Sequence, residues 1–102
     1  DKCADINIRN DQEKTPLHFA AAYQRDEMLK ILLDRGAAVN VKDENGCTPL
    51  FYAVMNNNAE EVRILIEHSA DVNIKNKKGE DALKTARQSK NEQILNILKE
   101  RV

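Results

Sequence analysis

The sequence is poor in aromatic residues and in cysteine. Aromatic side chains make up 4% of the 102 residues, and tryptophan is absent. Two cysteines, Cys3 and Cys47, are too few for a disulfide framework, so we expect free thiols and a reducing compartment, cytoplasmic or nuclear. No apolar run approaches the roughly 20 residues of a membrane-spanning helix, and no signal peptide opens the chain. We therefore expect no membrane contact.

Catalytic and ligand-binding motifs are also missing. The chain has no glycine-rich phosphate loop and no legible Ser–His–Asp or Cys–His arrangement. His18 and His68 lack metal-ligand spacing with each other and with the cysteines. Cys47 precedes a predicted helix start, where the pKa of a thiol can fall, but an inert thiol is the preferred interpretation. The sequence thus predicts no enzyme, no cofactor and no metal.

The chain does contain an internal repeat with a period of 33 residues. The phrases ADINIR, AAVNVK and ADVNIK begin at Ala4, Ala37 and Ala70, so the steps are 37−4=33 and 70−37=33. Leucines keep the same register, for example Leu17, Leu50 and Leu83. A period of 20–50 residues indicates a stacked repeat architecture.

Each unit is predicted to hold two short helices joined by a turn. Thr15 is a suitable N-cap, and Pro16 suits the first helical position, where its missing N–H costs nothing. The apolar residues Leu29 and Ile31–Leu33 predict a broad apolar face on the second helix. Gly36 then ends that helix in a left-handed conformation. The alternation in VNVKDENG, residues 39–46, predicts a short extended hairpin between units.

The phrases TPLH (15–18) and GAAVN (36–40) return 33 residues later as TPLF and SADVN. This repeated pattern resembles the ankyrin repeat, and the resemblance covers nearly the whole chain. It implies an all-α repeat solenoid, an L-shaped stack of helix pairs with short β-hairpin fingers. His18, whose family counterpart bonds backbone, is replaced by Phe51 and Lys84 in the later units. Asp81 stands where threonine is usual and can still cap a helix.

Several positions at which the family has glycine carry other residues. Glu13 stands where the later fingers have glycine, so we expect a distorted first finger turn. Ser69 replaces a helix-ending glycine, so we expect a strained left-handed residue there. The glycine between paired helices is replaced throughout, by Gln24, Asn57 and Lys90.

The register divides the chain into four parts. Residues 1–9 are predicted to be the tail of a truncated preceding repeat, 10–42 and 43–75 two repeats, and 76–102 a C-terminal capping repeat. Lys99 stands where Leu33 and Ile66 are apolar, and a polar outer face is typical of a terminal cap. Because residues 1–9 are predicted to be only the tail of a repeat, we expect the array to extend further at its N-terminal end.

Charge is unevenly distributed along the stack. Residues 43–75 hold two basic and six acidic residues, a net of −4, whereas residues 76–102 hold seven basic and four acidic, a net of +3. The last finger carries Lys75, Lys77 and Lys78. These lysines form either a docking patch for an acidic peptide or phosphate, or an ordinary solvated face. Because the whole chain has a net charge of −1, nucleic-acid binding is the weakest of the functions considered.

The predicted function is recognition of a partner protein or peptide, because stacked units build one continuous surface. The alternative is a structural spacer, or an element that self-associates through its truncated N-terminal face. By the resemblance, partner contacts fall on the concave face, at the finger tips and the ends of the first helices: Asp11, Gln12, Lys14, Ala22, Tyr23, Glu44, Asn45, Cys47, Met55, Asn56, Lys77, Lys78, Glu80, Gln88 and Ser89.

Two of these residues are apolar at outward positions. Tyr23 and Met55 suit a binding surface, although each also has the option of packing against its own hairpin. Similar asparagines at the close of ankyrin repeats are substrates of asparaginyl hydroxylase. The resemblance therefore also implies possible hydroxylation at Asn40 and Asn73, whose alternative role is a capping hydrogen bond.

Overall fold

The computed structural model describes residues 6–100 of the chain. The predicted N-terminal tail comprises residues 1–9, and its first five residues, including Cys3, lie outside the described residues. The last two residues of the predicted capping repeat also lie outside them.

The described residues form six α-helices, which make three pairs arranged in two rows. Helices α1, α3 and α5 pack against one another in chain order, and α2, α4 and α6 form the second row. Each helix also packs against the other member of its pair. This arrangement confirms the predicted repeat of helix pairs. The bounds are Pro16–Ala22 (α1), Asp26–Asp34 (α2), Pro49–Met55 (α3), Ala59–Glu67 (α4), Ala82–Ser89 (α5) and Glu92–Lys99 (α6).

The first helix of each pair begins at the predicted position. The Thr15 hydroxyl accepts the His18 backbone N–H, and the Thr15 N–H donates to His18 Nδ1 at 3.1 Å, which closes a capping box. Asp81 caps α5 by accepting the Lys84 N–H at 2.9 Å. Thr48 has the same extended backbone but makes no side-chain capping bond. Both caps named from the sequence, Thr15 and Asp81, are therefore formed by side chains.

Left-handed backbone occurs at the positions where the family glycines are missing. Gln24, Asn57 and Lys90, between the paired helices, have φ angles of 58°, 58° and 59°. Ser69 has φ 74°, where the first unit has Gly36 at φ 89°. The predicted left-handed conformation of Ser69 is confirmed, and this region carries a steric cost for residues with a Cβ.

The fingers, residues 10–14, 43–47 and 76–80, are tight turns. The turn-closing bonds share one length: Glu13 N–H to Asn10 O, Gly46 N–H to Asp43 O and Gly79 N–H to Asn76 O, each 2.9 Å. Glu13 has φ 64° and Gly46 φ 76°, so the distortion predicted for the first finger is wrong. Residues 6–100 contain no β-strand, so the predicted hairpin fingers are turns closed by one further backbone bond instead of paired strands.

Apolar side chains fill the space between the rows and between units. Leu17 and Leu50 are each 1% exposed, and Ala53 at the helix interface is fully buried. On α2, Leu29 is buried but Ile31 is 46% exposed, so the apolar face of this helix is narrower than predicted.

Candidate functional site: the finger groove

A short polar side chain at its first position holds each finger in shape. Asn10 Oδ1 accepts the backbone N–H groups of Gln12 and Lys14 at 2.9 and 3.0 Å. Asp43 accepts two backbone N–H groups of the second finger in the same way, and Asn76 two of the third. Because these bonds satisfy the donors within the turn, the fingers keep their conformation without strand pairing.

Neighbouring fingers are joined by backbone hydrogen bonds. Glu44 N–H donates to Gln12 O at 2.9 Å, and Lys77 N–H donates to Asn45 O at 3.1 Å. At Gly46 the approach is so close that a Cβ would lie 2.9 Å from the Lys77 nitrogen. The fingers thus form one row alongside the helix pairs.

A groove of about 570 Å³ lies between the second and third fingers and helices α3 and α5. We call it the finger groove. It brings together eight of the predicted partner-binding residues: Asn45, Cys47, Met55, Lys77, Lys78, Glu80, Gln88 and Ser89. Phe51, Tyr52, Asn76 and Thr85 complete its lining. Met55 is 47% exposed in this groove, so its side chain is available to a partner.

Seven predicted residues lie outside the groove; two of them, Ala22 and Asn56, bond to each other across units instead. Asp11, Gln12 and Glu44 are exposed on the first two fingers. Lys14 and Tyr23 line a different depression, at the α1 end of the stack. The structure therefore separates Tyr23 from Met55, although the sequence analysis grouped them.

Three predicted residues have their polar groups or side chains engaged within the stack. Asn56 Nδ2 donates to the carbonyl oxygens of Ala21 and Ala22 at 3.1 and 2.9 Å, which joins the second unit to the end of α1. Cys47 is 8% exposed and offers little surface to a partner. Ala22 is half-buried. These contacts favour a scaffold role for Ala22, Cys47 and Asn56.

A polar network beneath the groove connects the first two units. The His18 ring bonds the Cys47 carbonyl oxygen through Nε2 at 2.9 Å, as the resemblance implies. Because His18 Nδ1 accepts at the helix cap, Nε2 carries the proton. The Tyr52 hydroxyl donates to the Asp43 carboxylate, and the Lys14 ammonium lies 5.6 Å from the Tyr52 ring centroid. The network fixes the floor of the groove and the second finger together.

Burial and hydrogen bonds set the ionisation of this network. Burial lowers the pKa of His18, so the ring is neutral when it donates to the carbonyl. Burial alone would raise the pKa of Asp43, but the hydrogen bonds from Tyr52 and two backbone N–H groups outweigh it and lower that pKa. Burial raises the pKa of the Cys47 thiol, and the Asp43 charge adds to this effect. The structure therefore favours the inert thiol over the reactive one.

The predicted lysine patch is divided between two surfaces. Lys77 and Lys78 line the finger groove, whereas Lys75 lines a separate depression with Lys84 and Arg87. Lys77 and Lys78 are exposed, so the groove has a basic edge.

The asparagines at the close of the units join one unit to the next. Asn40 Oδ1 accepts the Asp71 N–H at 2.8 Å, and Asn7 Oδ1 accepts the Ala38 N–H at the same distance. Asn40 and Asn73 are both exposed. The bond of Asn40 supports the capping alternative, and hydroxylation at either position stays a prediction.

Sequence reasoning missed a buried carboxyl group behind the site. Glu61 on α4 is fully buried, and neither of its carboxyl oxygens has a hydrogen bond of ordinary geometry. Its counterparts 33 residues away, Met28 and Ile94, are apolar, which is the signal that could have found it. Burial raises the pKa of Glu61 to about 8, and the nearby Asp26 carboxyl adds to the rise.

The described part of the chain, residues 6–100, holds neither a metal-ion cluster nor a membrane-spanning helix. It contains no group of three or more His, Cys, Asp or Glu side chains arranged to hold a metal ion. None of its helices has the length and apolar character needed to cross a membrane.

Comparison with known families gives two overlapping matches. A family model described as ankyrin repeats (many copies) matches residues 1–53, and one described as ankyrin repeats (3 copies) matches residues 35–101. A search of curated proteins found no match.

Proposed function

This chain belongs to the ankyrin repeat family, and from that premise we propose that it binds a partner protein through the finger groove. Ankyrin repeats are generally protein–protein interaction modules and form a non-enzymatic interaction fold. The observation that carries the proposal is the convergence of exposed Met55, Lys77 and Lys78 on one groove between hydrogen-bonded fingers.

The chemistry of the groove suggests the kind of segment it accepts. Met55 offers an adaptable apolar contact, and Gln88 and Ser89 offer polar groups along α5. Lys77 and Lys78 provide positive charge, while Glu80 is engaged by Lys84 at 3.8 Å. A peptide with an apolar side chain flanked by acidic residues complements this surface, and an acidic nucleic acid is disfavoured by the chain's net charge of −1.

A random peptide library displayed on phage provides the probe for this groove. We expect peptides selected on the wild-type chain to be enriched in acidic and apolar residues. They should lose tenfold or more in affinity, about 1.4 kcal/mol, on a Met55→Ser, Lys78→Glu variant.

The matched control is Ile31→Ser, Lys30→Glu on α2. Ile31 is 46% exposed and Met55 47%, so the two variants remove similar apolar surface and change charge equally. Thermal melts of both variants establish that they fold. Selected peptides that bind the groove variant as tightly as wild type, or that lose affinity only for the α2 variant, would contradict the proposal.

A structural role is the second candidate, since the α1 end of the stack exposes apolar side chains. A spacer or self-associating element would yield no groove-dependent peptide. A self-associating element would in addition show a concentration-dependent dimer in sedimentation. The free, buried thiol of Cys47 is compatible with the cytoplasm or nucleus as the place where either function operates.

A further inference from the structure

The contact between α2 and α4 contains two acidic side chains, which we call the carboxyl pair: Glu61 and Asp26. Glu61 on α4 is fully buried, and neither of its carboxyl oxygens has a hydrogen bond of ordinary geometry within residues 6–100. Asp26, the first residue of α2, is half-buried and close enough to act on the ionisation of Glu61. Because burial disfavours the charged form, a buried carboxyl group without a donor favours its protonated form.

The repeat register shows that the carboxyl pair is particular to the contact between the first two units. One unit later, the position of Asp26 is occupied by Ala59 and the position of Glu61 by Ile94. Ile94 is fully buried on α6, which packs on α4 as α4 packs on α2. An apolar pair therefore serves the equivalent contact, and packing alone does not require two carboxyl groups between α2 and α4.

The hydrogen bonds of Asn58 indicate which member of the carboxyl pair carries the proton. Asn58 Oδ1 accepts the Glu61 backbone N–H at 3.1 Å, and Asn58 Nδ2 donates to Asp26 Oδ1 at 3.3 Å. Asp26 thus receives an amide donor, whereas the Glu61 carboxyl group receives none within residues 6–100. A proton on Glu61 makes that carboxyl group a donor, and Asp26 is the acceptor close to it.

No other charged group of the surrounding helices compensates an ionised Glu61 within residues 6–100. Helix α3, which packs on α4, has no charged residue within Pro49–Met55. The remaining charged residues of α2, α4 and α6, and the one ahead of α2, are all exposed: Arg25, Glu27, Lys30 and Asp34; Glu60, Arg63 and Glu67; Glu92 and Lys99. Burial, followed by the nearby Asp26, therefore raises the pKa of Glu61 to about 8.

We propose that the carboxyl pair holds one proton between α2 and α4, and that loss of this proton opens the contact between the first two units. With the proton present, Glu61 donates to Asp26 across the contact. When the O–H bond of Glu61 breaks, the proton passes to water or a buffer base and leaves two carboxylates that repel each other. The contact is complete below pH 4.5 and weakens as the pH rises to about 8, because Glu61 in the open form releases its proton more readily. This inference does not depend on the finger groove, which lies between the second and third fingers.

Carbon-13 NMR of the chain labelled at its glutamate carboxyl groups tests the shared proton. The signal of Glu61 is the one that Glu61→Gln removes, and we expect it to titrate with a midpoint near pH 8. Asp26→Asn should lower this midpoint by at least about one pH unit, because it removes a charge and supplies an N–H donor to the carboxylate. The matched control is Glu27→Gln, which removes an exposed charge from the same helix and should leave the midpoint unchanged. A wild-type midpoint near 4.5, or the same midpoint in Asp26→Asn as in wild type, would overturn the proposal.

Hydrogen exchange of the α2 amides tests the opening of the contact. After correction for intrinsic rates, their protection in the wild-type chain should fall at least about tenfold between pH 6 and pH 8.5, equivalent to about 1.4 kcal/mol. Glu61→Gln should abolish this fall, because glutamine keeps an N–H donor for Asp26 at every pH. At pH 8.5 the wild-type α2 amides should also exchange faster than global unfolding allows, as measured by urea unfolding at the same pH. Exchange no faster than global unfolding, or an equal fall in Glu61→Gln, would contradict a proton-dependent contact.

Discussion

Replacing Glu61 by glutamine should stabilise the protein and remove a pH dependence from its stability. Glu61 is fully buried on α4, and Asp26 on α2 lies close enough to act on its ionisation. Helix α3, which also packs on α4, carries no charged residue within Pro49–Met55. Glutamine has nearly the shape of the protonated acid and cannot ionise, so it fits the same space without the cost of proton uptake.

The magnitude follows from the pKa of Glu61 in the folded chain. This pKa is about 8, against an ordinary value of 4.5. The stabilising contribution is fully present below pH 4.5 and is lost as the pH rises to about 8, because the unfolded chain releases a proton that the folded chain keeps. At about 1.4 kcal/mol per pH unit, Glu61→Gln should gain up to about 5 kcal/mol over wild type near pH 8 and little near pH 5.

Urea unfolding followed by far-ultraviolet circular dichroism suits this chain, which has no tryptophan. Measurements at intervals from pH 5 to 8.5 give the difference in unfolding free energy between variant and wild type. Glu60→Gln is the matched control, since Glu60 is an exposed neighbour on the same helix. A Glu61→Gln difference that is constant with pH, or that shrinks as the pH rises, would refute the reasoning.

Three other predictions concern the stack and its modification. Leu50→Ala should destabilise the chain by about 2–5 kcal/mol, because Leu50 is 1% exposed between units; an unchanged urea midpoint would contradict this packing. Ser69→Gly should raise the melting temperature by relieving a residue at φ 74°, a gain of about 1 kcal/mol, and a lower melting temperature would count against strain there. If Asn40 or Asn73 is hydroxylated, the intact mass of the protein from animal cells should increase by one oxygen per site; an unmodified mass would exclude the modification under those conditions.

The register of the repeat made most of the scaffold predictable. Helix pairs, the cap at Thr15 and the left-handed Ser69 all follow from residue types that recur at fixed positions, where local geometry leaves few alternatives. The same register also places a short polar residue at the start of every finger, a pattern that predicts turns: Asn10, Asp43 and Asn76. Their side chains accept backbone N–H groups and so hold the fingers as turns. The alternation of Val39 and Val41 with polar residues favoured extended hairpins instead.

The candidate site was less predictable, because it depends on which side chains are already used in contacts between the units of the stack. Asn56 is polar and close to Met55 in sequence, yet its amide is used to join the units. Tyr23 aligns with Asn56 but has no preceding helix pair over it within residues 6–100, so its ring lines the depression at the α1 end of the stack. These differences depend on which residues lie nearby in space, so the sequence of a single repeat does not reveal them.

Hydrogen exchange on the chain, alone and saturated with a peptide selected from the phage library, tests the central claim most directly. Binding in the finger groove predicts slower exchange in the second and third fingers, residues 43–47 and 76–80, and at the C-terminal ends of α3 and α5. Exchange along α2, α4 and α6 should not change. Protection confined to that second row of helices would contradict the proposal that this ankyrin stack binds its partner through the finger groove.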